Sequence, residues 1–113
     1  MRAHPIEPGF EIADAQDVAL AYDGVSLVLS FVDWRDEPVR VAFDETVAFR
    51  WQRAEEVQPG EAWDGTSLHP DSPWLEEHRH QGEATSSHEH FALNFNAAGR
   101  LDVICIAARV VAS

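Results

Sequence analysis

The sequence predicts a mainly β fold of about six antiparallel strands in hairpins, a curved sheet or a sandwich, with one short helix around residues 73–80. Three features predict it. Apolar residues alternate with small or polar ones through residues 17–53, and a period of two puts one set on one face of a strand. Residues 89–111 return to the same alternation. Between these runs, Ser72-Pro73 carries the marks of a helix start.

Taken in order, residues 1–16 show no period and read as a lead-in or an added edge strand. Val18, Leu20 and Tyr22 then alternate up to Asp23-Gly24, a dipeptide that suits two-residue hairpin loops because both positions can adopt positive φ. Val25, Leu27, Leu29 and Phe31 follow, and a two-residue loop pairs Tyr22 with Val25 so that both apolar sets share a face. Val39, Val41 and Phe43 form the next strand, and Val47, Phe49 and Trp51 the one after, joined as a hairpin by Asp44-Glu45-Thr46. Residues 54–88 change character, with Pro59, Pro70, Pro73, Gly60, Gly65, Gly82 and many carboxylates, and read as a long excursion. Within it Ser72 can cap a helix, Pro73 suits its first position, and Glu76 and Glu77 follow in the first turn. Phe91, Leu93 and Phe95 resume the strand pattern, and Asn96-Ala97-Ala98-Gly99 fits a type I turn closed by a left-handed glycine. Residues 101–111 are apolar on both faces apart from Asp102 and Arg109, which marks a central strand covered on each side. The 113 residues read as a single domain.

Composition excludes several functions. Twenty acidic residues stand against eight arginines, with no lysine, for a net charge of −12. Such a chain repels phosphate backbones and anionic membranes, so neither nucleic acid nor a membrane is an expected partner. A basic protein partner is compatible with it. No apolar run approaches the length of a membrane helix, and residues 1–10 do not resemble a signal peptide. Cys105 lies in the apolar run Val103-Ile104-Cys105-Ile106 and reads as a small buried hydrophobe. A lone thiol suits a reducing, cytoplasmic setting. No nucleophile elbow, phosphate-binding glycine loop or dinucleotide fingerprint is present, so binding is favoured over catalysis.

The histidines are the strongest chemical signal. His69, His78, His80, His88 and His90 fall within 22 residues, in two His-x-His pairs. On a strand, residues two apart share a face, so His88 and His90 could chelate one ion. With His78 and His80 they could form a four-imidazole set for zinc, nickel or copper, although residues two apart on a helix do not share a face. Glu76, Glu77, Glu83 and Glu89 lie close enough in sequence to add oxygen donors. Trp63 and Trp74 anchor the excursion to the sheet or, where exposed, form a binding surface. Any site belongs to the excursion and the sheet face beneath it.

Val39-Arg40-Val41-Ala42-Phe43 to Val47-Ala48-Phe49-Arg50-Trp51, Ser72-Pro73-Trp74-Leu75, and His90-Phe91-Ala92-Leu93-Asn94-Phe95 to Leu101-Asp102-Val103 together resemble small bacterial β-domain proteins, some of them immunity proteins of bacterial toxin systems. The resemblance implies a compact antiparallel domain that binds another protein, and it carries no catalytic residues. The expectation is therefore a non-enzymatic protein-binding domain, an immunity-type inhibitor of a basic toxin. A His-rich metal-binding domain or metalloenzyme is the rival. A self-associating, homodimeric structural protein is the third reading.

Overall fold

The computed structural model describes residues 3–53, 59–62, 64–95 and 99–111. They form two antiparallel sheets and one helix, in the order β1 (His4–Pro5), β2 (Gln16–Tyr22), β3 (Leu27–Val32), β4 (Pro38–Asp44), β5 (Ala48–Gln52), β6 (Thr66–Leu68), α1 (Pro73–His80), β7 (Glu89–Phe95), β8 (Gly99–Cys105) and β9 (Ala107–Val111). One sheet runs β2-β3-β4-β9 and the other β1-β6-β7-β8-β5. Their inner faces share one core, with Leu27, Leu29, Phe31, Val41 and Phe43 from the first sheet and Phe91, Leu93, Phe95, Leu101, Val103 and Cys105 from the second. These are the alternate residues that the period-two pattern assigns to one face.

Nine strands replace the expected six or so, and each difference has a local cause. β1 and β6 pair with each other, and β6 pairs with β7, so part of the excursion is sheet. Three residues flanked by loop sequence are too few to show a period. The run 101–111 is two strands, since the chain bends at Ile106 and passes from one sheet to the other. β8 is buried throughout, whereas β9 is an edge strand with mostly exposed side chains.

β4 and β5 also part company. The expected hairpin does not form: β4 pairs with β3 and β9, and β5 pairs with β8 in the opposite sheet. Glu45 takes φ +49 at the crossing. The corner is fixed by Ile106 N–H donating to Asp44 O (2.9 Å), Val47 N–H to Ile104 O (3.0 Å) and Thr46 N–H to Val25 O (2.8 Å).

The first hairpin keeps its face but shifts its turn. Tyr22 pairs with Leu27, not Val25, and Leu20 pairs with Leu29. The Asp23 carboxylate accepts from the N–H groups of Val25 and Ser26, both at 2.8 Å, which centres the turn on Gly24-Val25. A two-residue shift preserves the inward set and leaves Val25 61% exposed.

The β7–β8 hairpin pairs Phe95 with Gly99. The turn residues 96–98 lie outside the described residues. Gly99 has φ +138, and a Cβ there would stand 2.7 Å from Gln52 O and 2.9 Å from Trp51 Cζ2. Gly99→Ala is expected to destabilise the fold by about 1–3 kcal/mol through this clash and the backbone strain. Chemical denaturation checks it, and an unchanged midpoint would mean that β5 does not lie this close to the hairpin end.

The helix occupies the expected residues. Ser72 has extended backbone angles and its Oγ accepts from Leu75 N–H at 3.0 Å, with Pro73 opening the helix. Leu75 packs with Ala84 and Ile104, and Val47, Ala48 and Trp74 lie against them. Ile104 faces away from the inter-sheet core, so α1 covers the outer face of the five-stranded sheet. No helix among the described residues is long and apolar enough to cross a membrane.

Candidate functional site

Beneath the excursion, the outer face of the five-stranded sheet carries a buried ring of ionisable groups. Strand alternation puts it there. On β8, Leu101, Val103 and Cys105 turn inward, so Arg100, Asp102 and Ile104 turn outward. On β7, His90 and Asn94 take the outward side, opposite Ile104 and Arg100. Arg50 of β5 lies across from Asp102. Glu61 and His69 complete the set from either side of β6.

Asp102 is fully buried. Its Oδ1 accepts from His90 Nε2 (2.7 Å) and Arg100 Nη2 (3.0 Å), and its Oδ2 from Arg100 Nε (2.9 Å) and Arg50 Nε (3.4 Å). Arg100 Nη1 donates to Glu61 Oε1, which also accepts from Asn94 Nδ2 at 3.2 Å. Glu61 Oε2 pairs with His69 Nε2, and the His69 ring stacks on His90 with centroids 4.8 Å apart. The circuit Glu61–Arg100–Asp102–His90–His69 thus closes on itself. Trp74 sets its edge against His90 at 5.0 Å, and the Arg50 guanidinium lies 4.3 Å over the Trp74 ring.

The electrostatics follow from burial and pairing. Burial alone would raise the Asp102 pKa, but hydrogen bonds from His90 and Arg100, with the Arg100 charge, outweigh it and hold the carboxyl well below its ordinary 3.8. Burial opposes the Arg100 charge as well, and Glu61 and Asp102 overcome that, leaving the guanidinium more firmly protonated. For His90 burial wins. It lowers the pKa below 6.5 despite Asp102, and the His69 and Arg50 charges push the same way. Neutral His90 donates from Nε2 to a carboxylate that can only accept, so Nδ1 carries the lone pair. That Nδ1 is buried without a hydrogen-bond partner. Cys105, in the core, has its thiol pKa pushed up to about 12 by burial, in keeping with an inert hydrophobe.

The expected four-histidine centre is not assembled. His88 is committed at both ring nitrogens: Nδ1 accepts from Thr85 N–H at 2.9 Å, and Nε2 donates to Glu45 O at 3.0 Å. It latches the excursion to the β4–β5 corner. His78 pairs through Nδ1 with Glu83 at 3.1 Å, and His80 is exposed in the last helical turn. The rings of His69 and His90 stack on each other, inclined by 27°, and their Nε2 atoms pair with separate carboxylates, Glu61 and Asp102. Among the described residues no three His, Cys, Asp or Glu side chains group so as to hold a metal ion.

Of the two expected surface tryptophans, Trp63 lies outside the described residues. Trp74 is half-buried between Arg50, His78 and His90, so it anchors the excursion. Sequence reading missed Glu61, Asn94 and Arg100 as site residues. Asp102 had a visible signal, a charge inside a run otherwise apolar on both faces.

Four of the six exposed large apolar residues among those described lie elsewhere, while Trp34, after β3, and Val110, on β9, are exposed as well. Tyr22, Val25, Phe49 and Trp51 are 46%, 61%, 37% and 37% exposed. Tyr22 and Phe49 touch, with ring centroids 5.3 Å apart. Trp51 follows two residues along β5, and Val25 O is tied to the neighbouring Thr46 N–H. They form one rim between the β2–β3 turn and β5, the terminal strand of its sheet.

No protein-family model matches the chain, and no curated protein or solved structure matches it either.

Proposed function

We propose that this protein is a non-enzymatic protein-binding domain that engages a basic partner, as an immunity-type inhibitor engages its toxin. The observation that carries the reading is the exposed rim of Tyr22, Val25, Phe49 and Trp51 beside the terminal strand β5. Clustered tyrosine and tryptophan side chains are typical anchors of protein interfaces. The net charge of −12 supplies the second ingredient, long-range attraction that speeds encounter with a cationic surface. The resemblance of three segments to small bacterial β-domain proteins, some of them immunity proteins, points the same way. The ionisable ring fits a supporting role in this reading, because its charges are spent on one another beneath the excursion.

The proposal requires a basic protein encoded beside its gene, and titration calorimetry against that protein is the test. Association is expected to weaken as salt rises. Tyr22→Ala and Val25→Asp are each expected to reduce affinity by roughly thirtyfold, the scale of an interface hot spot. No association, or an affinity indifferent to both variants, would overturn the reading. Light scattering on the isolated chain distinguishes self-association through the same rim, which would give a dimer that Val25→Asp dissolves.

A further inference from the structure

The rim lies along a strand edge whose main chain is open. β5 ends the five-stranded sheet and pairs on one side only, with β8. Val47 N–H donates to Ile104 O at 3.0 Å, so the main chain of Ile104 faces β5. Antiparallel pairing repeats every two residues, which turns Asp102 and Arg100 the same way and engages Ala48, Arg50 and Gln52 opposite them. Phe49 and Trp51 therefore direct their N–H and C=O groups to the open side. Among the described residues, none of these four groups meets another main-chain group.

Two of the other sheet edges are blunted, and the third lacks anchors. β1 is two residues long and includes Pro5. β2 shifts register between Gln16 and Ala19, where Asp17 takes φ +54. Short length, proline and irregular register are the usual guards against strand addition. β9 presents alanine, valine and Arg109, with no aromatic residue. β5 instead keeps one register throughout Ala48–Gln52. Its one charge, on Arg50, is laid over Trp74 and Asp102. Beside the open groups stands an aromatic platform. Phe49 packs against Tyr22, whose hydroxyl donates to Thr46 O at 3.4 Å, and Trp51 against Phe95, with centroids 5.5 Å apart.

We propose that β5 is a strand-addition edge: an extended segment of the basic partner pairs its main chain with Phe49 and Trp51 and lays alternate apolar side chains over the platform of Tyr22, Phe49 and Trp51. This rests on the partner reading above and adds the mode of binding. In such complexes main-chain pairing supplies affinity and the alternate side chains supply specificity. A second copy of this chain fits less well. A two-fold pairing centred on the strand sets Arg50 opposite its own image, and each copy carries a charge of −12. A cationic segment, uncharged where it passes Arg50, meets neither obstacle.

Amide hydrogen exchange of the full chain, read residue by residue by NMR, is the test. In the free protein the Phe49 and Trp51 amides are expected to exchange roughly tenfold or more faster than those of Ala48, Arg50 and Gln52. The probe is a capped peptide that alternates valine with threonine and carries lysines at both ends. Its control is N-methylated at each valine, which keeps the side chains and removes the donors. At saturation the peptide is expected to slow the Phe49 and Trp51 amides by about tenfold. It should also bind roughly tenfold more tightly than the control, the worth of one main-chain hydrogen bond. Equal binding of the two peptides, with exchange at Phe49 and Trp51 unchanged, overturns strand addition, while the rim reading keeps its own test in the calorimetry above. Strand addition is also overturned if these amides are already protected in the free chain, if protection falls on β9 instead, or if the peptide does not bind saturably.

Discussion

Replacing Asp102 by alanine is expected to cost the fold about 3–5 kcal/mol, the usual penalty for removing one member of a buried ion pair. The carboxylate is fully buried and receives hydrogen bonds from His90 and Arg100. Without it, Arg100 keeps Glu61 alone as an anionic partner among the described residues, and the His90 Nε2–H loses its acceptor. Urea denaturation at neutral pH measures the effect. A loss below about 1 kcal/mol, the range of exposed ion pairs, would mean that the ring is open to water.

The same ring gives stability a defined dependence on pH. Both His90 and Asp102 have folded pKa values below their ordinary ones, so the unfolded chain takes up each proton first as pH falls. Each contribution is present above the unfolded value and is lost on acidification. His90 therefore begins to weaken the fold below pH 6.5, and Asp102 adds a second, deeper loss below pH 3.8. Each group can contribute a slope of at most about 1.4 kcal/mol per pH unit. In Asp102→Ala the loss below pH 3.8 should shrink relative to the unmodified chain.

Phe43→Ala is the second large effect, about 3–5 kcal/mol. Phe43 is fully buried on β4, and its ring meets that of Phe91 on the opposite sheet edge-on, with centroids 6.4 Å apart. Truncation opens a cavity between the sheets while sparing the outer-face ring. Its cost should therefore change little between neutral pH and pH 5, whereas that of Asp102→Ala can change, because removing the carboxylate alters the titration of His90. A Phe43→Ala cost near 1 kcal/mol would contradict tight packing of the two sheets at this point.

Where a local signal determines structure, the sequence was legible. The helix at 73–80 follows from Ser72 and Pro73, whose effects act within one turn. The β2–β3 hairpin was right in face and wrong by two residues in register, because the Asp23 side chain chose the turn. The β4–β5 corner was misread since alternation reports a face but not a partner strand. Val41 and Phe49 both take the inner-face positions of strands in different sheets, although Phe49 is 37% exposed at the rim, and period two is the same in either case.

The site was half legible for the same reason. The ring lies on the sheet face below the excursion, and His69 and His90 belong to it. Their partners could not be read locally. Glu61 comes from a loop, Asn94 from β7 and Arg100 and Asp102 from β8, and only long-range register brings them to one patch. Histidine spacing suggested chelation, whereas the fold pairs four of the five imidazoles with different neighbours, His69 with Glu61, His78 with Glu83, His88 with Thr85 and Glu45, and His90 with Asp102, and leaves His80 exposed.

Glu61, Arg100, Asp102, His90 and His69 are enclosed under the excursion, and an apolar rim is left exposed beside β5. Nitrogen-15 NMR of the His90 ring at neutral pH tests the enclosed half most directly. A neutral ring, protonated at Nε2 and bare at Nδ1, with an Nε2–H that exchanges slowly with solvent, is the expected result. An imidazolium, or a ring proton in fast exchange with water, would contradict the account, because it would place His90 and Asp102 within reach of solvent.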